Sequence, residues 1–211
     1  MGKVAAGLFA HSEGLSRRPY VEELLLGGKK SLAWLLEGMR HIVDHVVVIS
    51  PSEDRLELIE KILAEEGHSE FEGIIDDSAL VANMCLKACS VLEGDDILLV
   101  LPTFSPLVPT DVMALLVELL EGREGVFLRE RTRKLYKYMF SVKVAEGMKA
   151  FRQIETEQGD MLEIPDGLKR TMAISWDAMG TMDPLRLTFF RLFSELDLAQ
   201  AEKLLSKVRT R

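Results

Sequence analysis

Hydrophobic and polar residues along this chain follow two different periods, one typical of buried strands and one typical of amphipathic helices. Short runs rich in Val, Ile and Leu occur at Val4–Phe9, His45–Ile49 and Ile97–Leu101. Runs with almost no polar residues are typical of parallel strands that helices cover on both faces. We therefore expect these segments to form the interior of a parallel sheet, with Ile97–Leu101 as its central strand.

Amphipathic helices are predicted between these strands. Apolar residues recur at helical spacing after Ser31, at Leu32, Leu35, Leu36, Met39 and Ile42. A second helix is expected to begin near Ser52 with acidic residues in its first turn, where the helix dipole favours them, and to end at Gly67. Three further helices are predicted: one capped by Ser78, one capped by Thr110 and running through Leu120, and one from Glu195 to Val208.

The remaining strands are shorter or more polar. Gly73–Ile75 reads as a third strand in chain order, and short strands are predicted around Met161–Ile164 and Thr171–Trp176. Tyr136–Lys143 places polar residues between apolar ones, which is typical of a half-exposed or edge strand. We expect a mixed, mostly parallel sheet. With no internal repeat or linker, residues 1–211 are expected to form a single α/β domain.

Composition excludes several classes of function. The net charge of −8 disfavours a nucleic-acid binder, because phosphate neutralisation supplies much of that affinity. The sequence contains no apolar run of about 18 residues, so we expect no membrane span and a cytoplasmic protein. Cys85 and Cys89 are interpreted as small core residues rather than a disulfide or a metal site. His41 and His45 are four residues apart, a spacing that on a helix brings two imidazoles together as metal ligands. Since a strand is predicted at His45, the two side chains are expected to lie apart, and a metal site is not favoured.

The loop that follows the first strand is the first candidate site, since ligands of open α/β sheets bind beyond the carboxyl ends of the strands. Glycine near such a strand lets backbone amides approach a phosphate, and arginine adds charge-assisted hydrogen bonds. The candidate nucleotide-binding residues in this region are Gly7, Ser12, Gly14, Arg17 and Arg18. The alternative is a polar surface loop whose arginines are solvated.

Two other loops add candidates at the same edge. Asp76 and Asp77 follow the third strand and are suited to a metal or a sugar hydroxyl, although Asp77 is equally suited to a turn before Ser78. Thr103 and Ser105 follow the central strand and are expected to donate hydrogen bonds to a ligand.

A basic cluster in this acidic chain comprises Arg129, Arg131, Arg133, Lys134 and Lys137. It is interpreted either as a solvated loop and edge strand or as a binding site for an anionic substrate or partner.

Several segments together resemble the molybdenum-cofactor guanylyltransferase-like family. Ala6-Gly7, Ser16–Arg18 and Leu26–Leu32 are similar to its first strand, its Gly-rich loop ending in Arg, and its Leu-Gly-Gly-Lys step into a helix. Further similar segments are Asp44–Ile49, Asp95–Pro109 and Asp183–Glu202. The resemblance implies a three-layer α/β/α sandwich of the nucleotide-diphospho-sugar transferase-like, Rossmann-like kind.

The chain also departs from that family at polar positions. Leu8 stands where a second glycine is expected, and Val21 stands at the position of the family's Lys. Phe104 occupies the position of the Asp that holds Mg²⁺ in the family, and a phenyl ring cannot coordinate a metal. Arg191 and Phe193 replace two asparagines. By resemblance, the metal-binding carboxylate is therefore missing, and no metal ligand is predicted.

Three functional hypotheses follow. The first is a nucleotidyltransferase that joins a nucleoside monophosphate to a phosphorylated acceptor, with Mg²⁺ as cofactor only if the chain is active and with Asp76 or Asp77 replacing the missing ligand. The second is a non-catalytic nucleotide- or anion-binding pseudoenzyme or regulatory subunit. The third is a scaffold or homodimerisation module. The first two imply a nucleotide or a phosphorylated small molecule as partner.

Overall fold

The computed structural model describes residues 2–10, 19–156, 161 and 163–209. Its strands are β1 (Val4–Phe9), β2 (Leu25–Leu26), β3 (Lys29–Lys30), β4 (His45–Ser50), β5 (Phe71–Ile75), β6 (Ile97–Pro102), β7 (Gly125–Arg129), β8 (Leu135–Lys143) and β9 (Thr171–Ile174). Seven of them form one sheet in the order β5-β4-β1-β6-β8-β7-β9, and β2 pairs with β3 in a separate hairpin.

The described residues also form six α-helices, which are α1 (Ser31–Met39), α2 (Glu53–Glu65), α3 (Val81–Ser90), α4 (Thr110–Glu118), α5 (Val144–Thr156) and α6 (Glu195–Arg209). On one face of the sheet α1 contacts α2 and α4, and on the other α3 packs along α5. The predicted three-layer α/β/α arrangement with a mostly parallel, mixed sheet is confirmed.

The centre of the sheet is parallel and buried, as its apolar runs predict. β1 lies between β4 and β6 and is parallel to both, so Gly7 is opposite Val47 on one side and Val100 on the other. Every residue of β1 and β6 is buried. Helices on both faces exclude water from these strands, which is why the runs contain almost no polar residues.

The Gly27-Gly28 pair forms a tight turn. Its two residues connect β2 to β3 and have φ values of +60° and +85°. Positive φ at both positions is the requirement of the two-residue hairpin turn that matches strand twist, and glycine meets it without steric cost. The hairpin leads directly into α1, whose first residue, Ser31, donates its backbone N–H to the Leu24 carbonyl.

Tyr136–Lys143 forms a strand as predicted, but the prediction that this strand is half-exposed or at an edge was wrong. The segment belongs to β8, which lies between β6 and β7, is antiparallel to both and is buried at Tyr136 and from Tyr138 to Val142. Its polar residues suggested an edge, but Ser141 is buried because its hydroxyl donates to the Leu116 carbonyl at 2.6 Å. A hydrogen-bonded hydroxyl can be buried at small cost.

Other local predictions were also corrected. The N-cap of α3 is Leu80, while Ser78 accepts a weak bond from the Leu80 amide at 3.4 Å. Thr110 is the first residue of α4 rather than its cap. The described residues between 161 and 164 form no strand. Strand β7 and helix α5 were not predicted. In the part of the chain that is described, no helix has the length and apolar character to cross a membrane.

Candidate functional site

The carboxyl ends of the parallel strands are joined side by side at one edge of the sheet. Just beyond the strands, the Ala10 amide donates to the Ile49 carbonyl at 2.9 Å, the Asp76 amide donates to the Ser50 carbonyl at 2.8 Å, and the Thr103 amide donates to the Phe9 carbonyl at 3.2 Å. The residues after β1, β5 and β6 therefore lie on a common edge, where ligands of open α/β sheets bind.

The first loop contains most of the predicted phosphate-binding residues. Ser12, Gly14, Arg17 and Arg18 lie outside the described residues. Gly7 lies inside β1, two residues before its end, and a Cβ there would be 3.0 Å from Leu98 Cδ1 and 3.1 Å from Phe9 Cε1. Packing alone thus explains glycine at position 7, and its role in nucleotide binding stays a prediction.

The two aspartates after β5 have different environments. Asp76 is buried, and its Oδ1 accepts the Ser78 amide at 3.0 Å and lies 3.4 Å from Lys87 Nζ. Its Oδ2 is buried and has no hydrogen-bond partner among the described residues. Asp77 is exposed. Asp76 therefore has a buried acceptor oxygen without a partner among the described residues, whereas the Asp77 carboxylate faces solvent.

The hydroxyls of Thr103 and Ser105 are already bonded within the protein. Both residues are fully buried. Thr103 donates to the Glu22 carboxylate, and the Ser105 hydroxyl lies 3.4 Å from that of Tyr136. Burial raises the pKa of the Tyr136 phenol, which therefore stays protonated. Hydrogen bonds from Thr103 and Ser105 to a ligand stay a prediction, and would require these internal contacts to be replaced.

A buried ion pair at this edge was not predicted from the sequence. Arg55, in the first turn of α2, donates from its terminal NH2 group to Glu22 Oε1 at 2.7 Å and from Nε to Oε2 at 3.1 Å. Their side chains are 2% and 0% exposed, and the guanidinium lies 5.4 Å from the Tyr20 ring centre. The one signal was Arg55 itself, since the helix dipole disfavours a cation in the first turn.

The strand order separates the candidates into two groups. Asp76 follows β5, and Thr103 follows β6, three strands away. At about 4.8 Å between neighbouring strands, this puts the two residues roughly 14 Å apart. Asp76 therefore cannot share one ion with a ligand at position 103 or 104, although a nucleotide is long enough to reach both.

Phe104 lies in an aromatic cluster. It is 1% exposed, its ring centre is 5.3 Å from that of Tyr138 in an edge-to-face arrangement, and 4.9 Å from that of Phe193. The Leu192 amide donates to the Phe104 carbonyl at 2.8 Å, which holds the segment of Phe193 against the strand end. Positions 104 and 193, both polar in the family that the sequence resembles, are thus in contact here as apolar rings.

Arg191 extends this cluster toward the β7–β8 turn. Its guanidinium carbon lies 5.1 Å from the ring centre of Tyr136 and 5.5 Å from that of Tyr138. Its NH2 group donates to Glu130 Oε1 at 2.7 Å. A cation stacked on two rings and paired with a carboxylate is held in place and already neutralised.

Comparison with known proteins gives the fold. No protein-family model and no curated protein matches this sequence. The structure of molybdopterin-guanine dinucleotide biosynthesis protein A from Archaeoglobus fulgidus is similar, with a TM-score of 0.71 and 16% identity, over 96% of this chain and 99% of that chain. A 4-diphosphocytidyl-2C-methyl-D-erythritol synthase from Anaerococcus prevotii has a TM-score of 0.69 and 12% identity, over 97% and 96% of the two chains.

This chain has a nucleotidyltransferase-type fold. The agreement extends over nearly the whole of both chains in each comparison. The fold predicted from the resemblance is confirmed.

The residues of this nucleotidyltransferase-type fold do not fit a divalent metal where the resemblance places one. Mg²⁺ requires oxygen ligands in octahedral geometry. The Phe104 side chain instead packs against the rings of Tyr138 and Phe193. Within the described residues, no three His, Cys, Asp or Glu side chains are grouped so that they could hold a metal ion.

Proposed function

We propose that this chain binds a nucleotide or another phosphorylated small molecule in its nucleotidyltransferase-type fold and does not catalyse metal-dependent nucleotidyl transfer. The observation that carries this proposal is the contact of Phe104 with Phe193. The resemblance places the Mg²⁺-binding Asp of the family at position 104, and support for its loss comes from the apolar ring there and the second ring that packs on it.

The loss of activity follows from electrostatics. Nucleotidyl transfer depends on stabilising negative charge on the phosphates, and preorganised charges supply most of that stabilisation. Near position 104, the Arg55 charge is neutralised by Glu22 and the Arg191 charge by Glu130. Without a metal at position 104, and with these two cations already paired, this part of the site offers little stabilisation to the negative charge that develops on a leaving pyrophosphate. Loss of a main catalytic group costs orders of magnitude in rate.

Asp76 supports retained binding. Leaving a buried carboxylate oxygen without a hydrogen bond costs about 1–3 kcal/mol. The presence of such an oxygen, Oδ2 of Asp76, therefore favours a hydrogen-bond donor from outside the described residues. A ribose hydroxyl is a donor of suitable strength. The similarity to molybdopterin-guanine dinucleotide biosynthesis protein A makes GTP the first nucleotide to test, and molybdenum-cofactor biosynthesis is the proposed pathway.

Thermal-shift titration of the full chain with GTP, CTP and ATP, each with and without Mg²⁺, tests the proposal. A ligand that binds the folded state raises the melting temperature. We expect stabilisation that does not depend on Mg²⁺, and no release of pyrophosphate. Stabilisation that requires Mg²⁺, together with pyrophosphate release, would show an active enzyme. No stabilisation by any nucleotide would favour the scaffold or dimerisation hypothesis.

Asp76→Asn gives a matched variant for this assay. The amide retains the shape of the carboxylate but replaces one acceptor oxygen by a donor nitrogen. We expect the nucleotide-induced shift to decrease in Asp76→Asn and to be retained in the control Asp95→Asn, because Asp95 is exposed and precedes β6, at the opposite edge of the sheet. Equal shifts in the two variants would remove Asp76 from the site.

A further inference from the structure

The turn between β7 and β8 lies at the same edge of the sheet as the candidate site. Both β6 and β7 are antiparallel to β8, so they run in the same direction and end at the same edge. The turn, residues 130–134, therefore projects beside the segment that follows β6. We refer to residues 129–134 as the basic hairpin.

The basic hairpin is connected to the aromatic cluster by direct contacts. Glu130 in the turn accepts from Arg191, whose guanidinium stacks on Tyr138, and the Tyr138 ring contacts Phe104. These contacts form a continuous path from the strand end at position 104 to the turn. The basic hairpin is thus held next to the segment that follows β6, at the edge of the candidate site.

Three cations of the basic hairpin have no carboxylate partner among the described residues. Two other cations of the described residues at this edge form ion pairs, Arg55 with Glu22 and Lys87 with Asp76. Arg131, Arg133 and Lys134 are exposed, and no carboxylate of the described residues lies within ion-pair distance of them. The chain as a whole carries a net charge of −8, so this is a local reversal of its charge.

The geometry of the turn holds these cations around a cavity. Arg133 has a φ of +64°, and its amide donates to the Glu130 carbonyl at 2.8 Å. Arg129 donates to the Arg133 carbonyl at 2.8 Å, which holds its guanidinium beside the turn. A left-handed backbone at a non-glycine residue is unfavourable by itself and persists where the surrounding contacts impose it.

That cavity has a volume of about 480 Å³, and Arg129, Thr132, Arg133 and Lys134 line it together with one carboxylate, Glu163. Guanidinium groups and a hydroxyl match phosphate oxygens in geometry and charge. The single opposing carboxylate leaves a clear excess of positive charge.

We propose that the basic hairpin is a phosphate-binding subsite, in which Arg129, Arg133 and Lys134 bind a phosphate group of the ligand. The inference rests on the proposed function, because it names the charge that holds the phosphorylated molecule. Arg55 does not take this role, since Glu22 already occupies its guanidinium. The phosphate belongs either to the nucleotide or to a second phosphorylated compound.

Calorimetric titration of the full chain with inorganic pyrophosphate in magnesium-free buffer tests the subsite. Lys134→Gln and Arg133→Asn each remove one charge, and asparagine tolerates the left-handed backbone at position 133. We expect each change to weaken pyrophosphate binding about fivefold, the effect of an exposed charge pair, and added salt to weaken it further. The control Lys61→Gln removes the same charge from an exposed position on α2, which packs on β4 and β5 at the other end of the sheet, and should bind as the wild type does.

Two results would overturn the subsite: no pyrophosphate binding by the wild type, or equal affinities in the wild type and both hairpin variants. Failure of the proposed function looks different. If no nucleotide stabilises the chain while pyrophosphate still binds in a hairpin-dependent way, the subsite stands and nucleotide binding falls.

GTP titrations of the same variants identify the source of the phosphate. A parallel loss of GTP and pyrophosphate affinity supports the subsite with the nucleotide's own phosphates in it. If the hairpin variants bind pyrophosphate more weakly but bind GTP as the wild type does, the subsite is supported and its occupant is a second phosphorylated compound.

Discussion

Phe104→Asp tests the aromatic cluster, because it restores a carboxylate at the position where the resemblance expects one. Phe104 is 1% exposed and packs against the rings of Tyr138 and Phe193. Truncating a buried phenylalanine costs about 3–5 kcal/mol, and a carboxylate without a hydrogen-bond partner adds to that cost. Since the free energy of unfolding of a domain is about 5–15 kcal/mol, we expect Phe104→Asp to remove a large share of it.

The loss should depend on pH. Burial among rings disfavours the charged carboxylate, so the pKa of the new carboxyl rises above its unfolded value of about 3.9. The folded state then holds a proton that the unfolded state has released. Stability therefore falls as pH rises from the unfolded to the folded pKa, and remains low above it.

Urea unfolding followed by circular dichroism at about pH 5 and about pH 8 measures the effect. Phe104→Leu is the control, because it removes the ring and introduces no charge. We expect the aspartate variant to be less stable than the leucine variant, with a larger difference at the higher pH. A difference that does not change with pH, or an aspartate variant as stable as the leucine variant, would show that water reaches position 104 and would refute the reasoning.

Two further predictions concern buried groups. Glu22→Ala leaves the Arg55 guanidinium buried without its carboxylate, so we expect urea unfolding to show a loss of about 3–5 kcal/mol in the free energy of unfolding. The loss should be smaller in the double variant Glu22→Ala/Arg55→Met, which removes both charges. Similar losses in the single and double variants would argue against the ion pair. Burial raises the pKa of the Cys89 thiol to about 12, so at neutral pH it stays protonated and should react with a chromogenic disulfide reagent only after denaturation. Rapid reaction of Cys89 in the folded protein would contradict its burial.

Elements with a strong local signal were predicted from the sequence. The apolar runs of β1, β4 and β6 and the helix between Ser52 and Gly67 all formed, because burial on both faces and helix-end preferences act over a few residues. Helix α5 was missed because it begins at Val144, directly after β8 ends at Lys143, with no turn residue between them.

The candidate site was predicted only in outline. Sequence order indicates which residues follow each strand, so the shared edge of Ala10, Asp76 and Thr103 was foreseeable. The distance between Asp76 and Thr103 was not, because it depends on strand order. The pairing of Glu22 with Arg55, 33 residues along the chain, likewise left no periodic signal.

The sequence by itself thus determined the α/β alternation, the buried parallel strands and the edge at which polar loops gather, since these depend on residues close together in the chain. Only the tertiary structure decided that β8 is internal, that Phe104 meets Phe193, and that Arg55 and Arg191 are paired with carboxylates while Arg133 and Lys134, within the described part of the chain, are not. The reason is physical: contacts between distant segments depend on how the sheet and helices pack, and charge neutralisation and burial follow from those contacts.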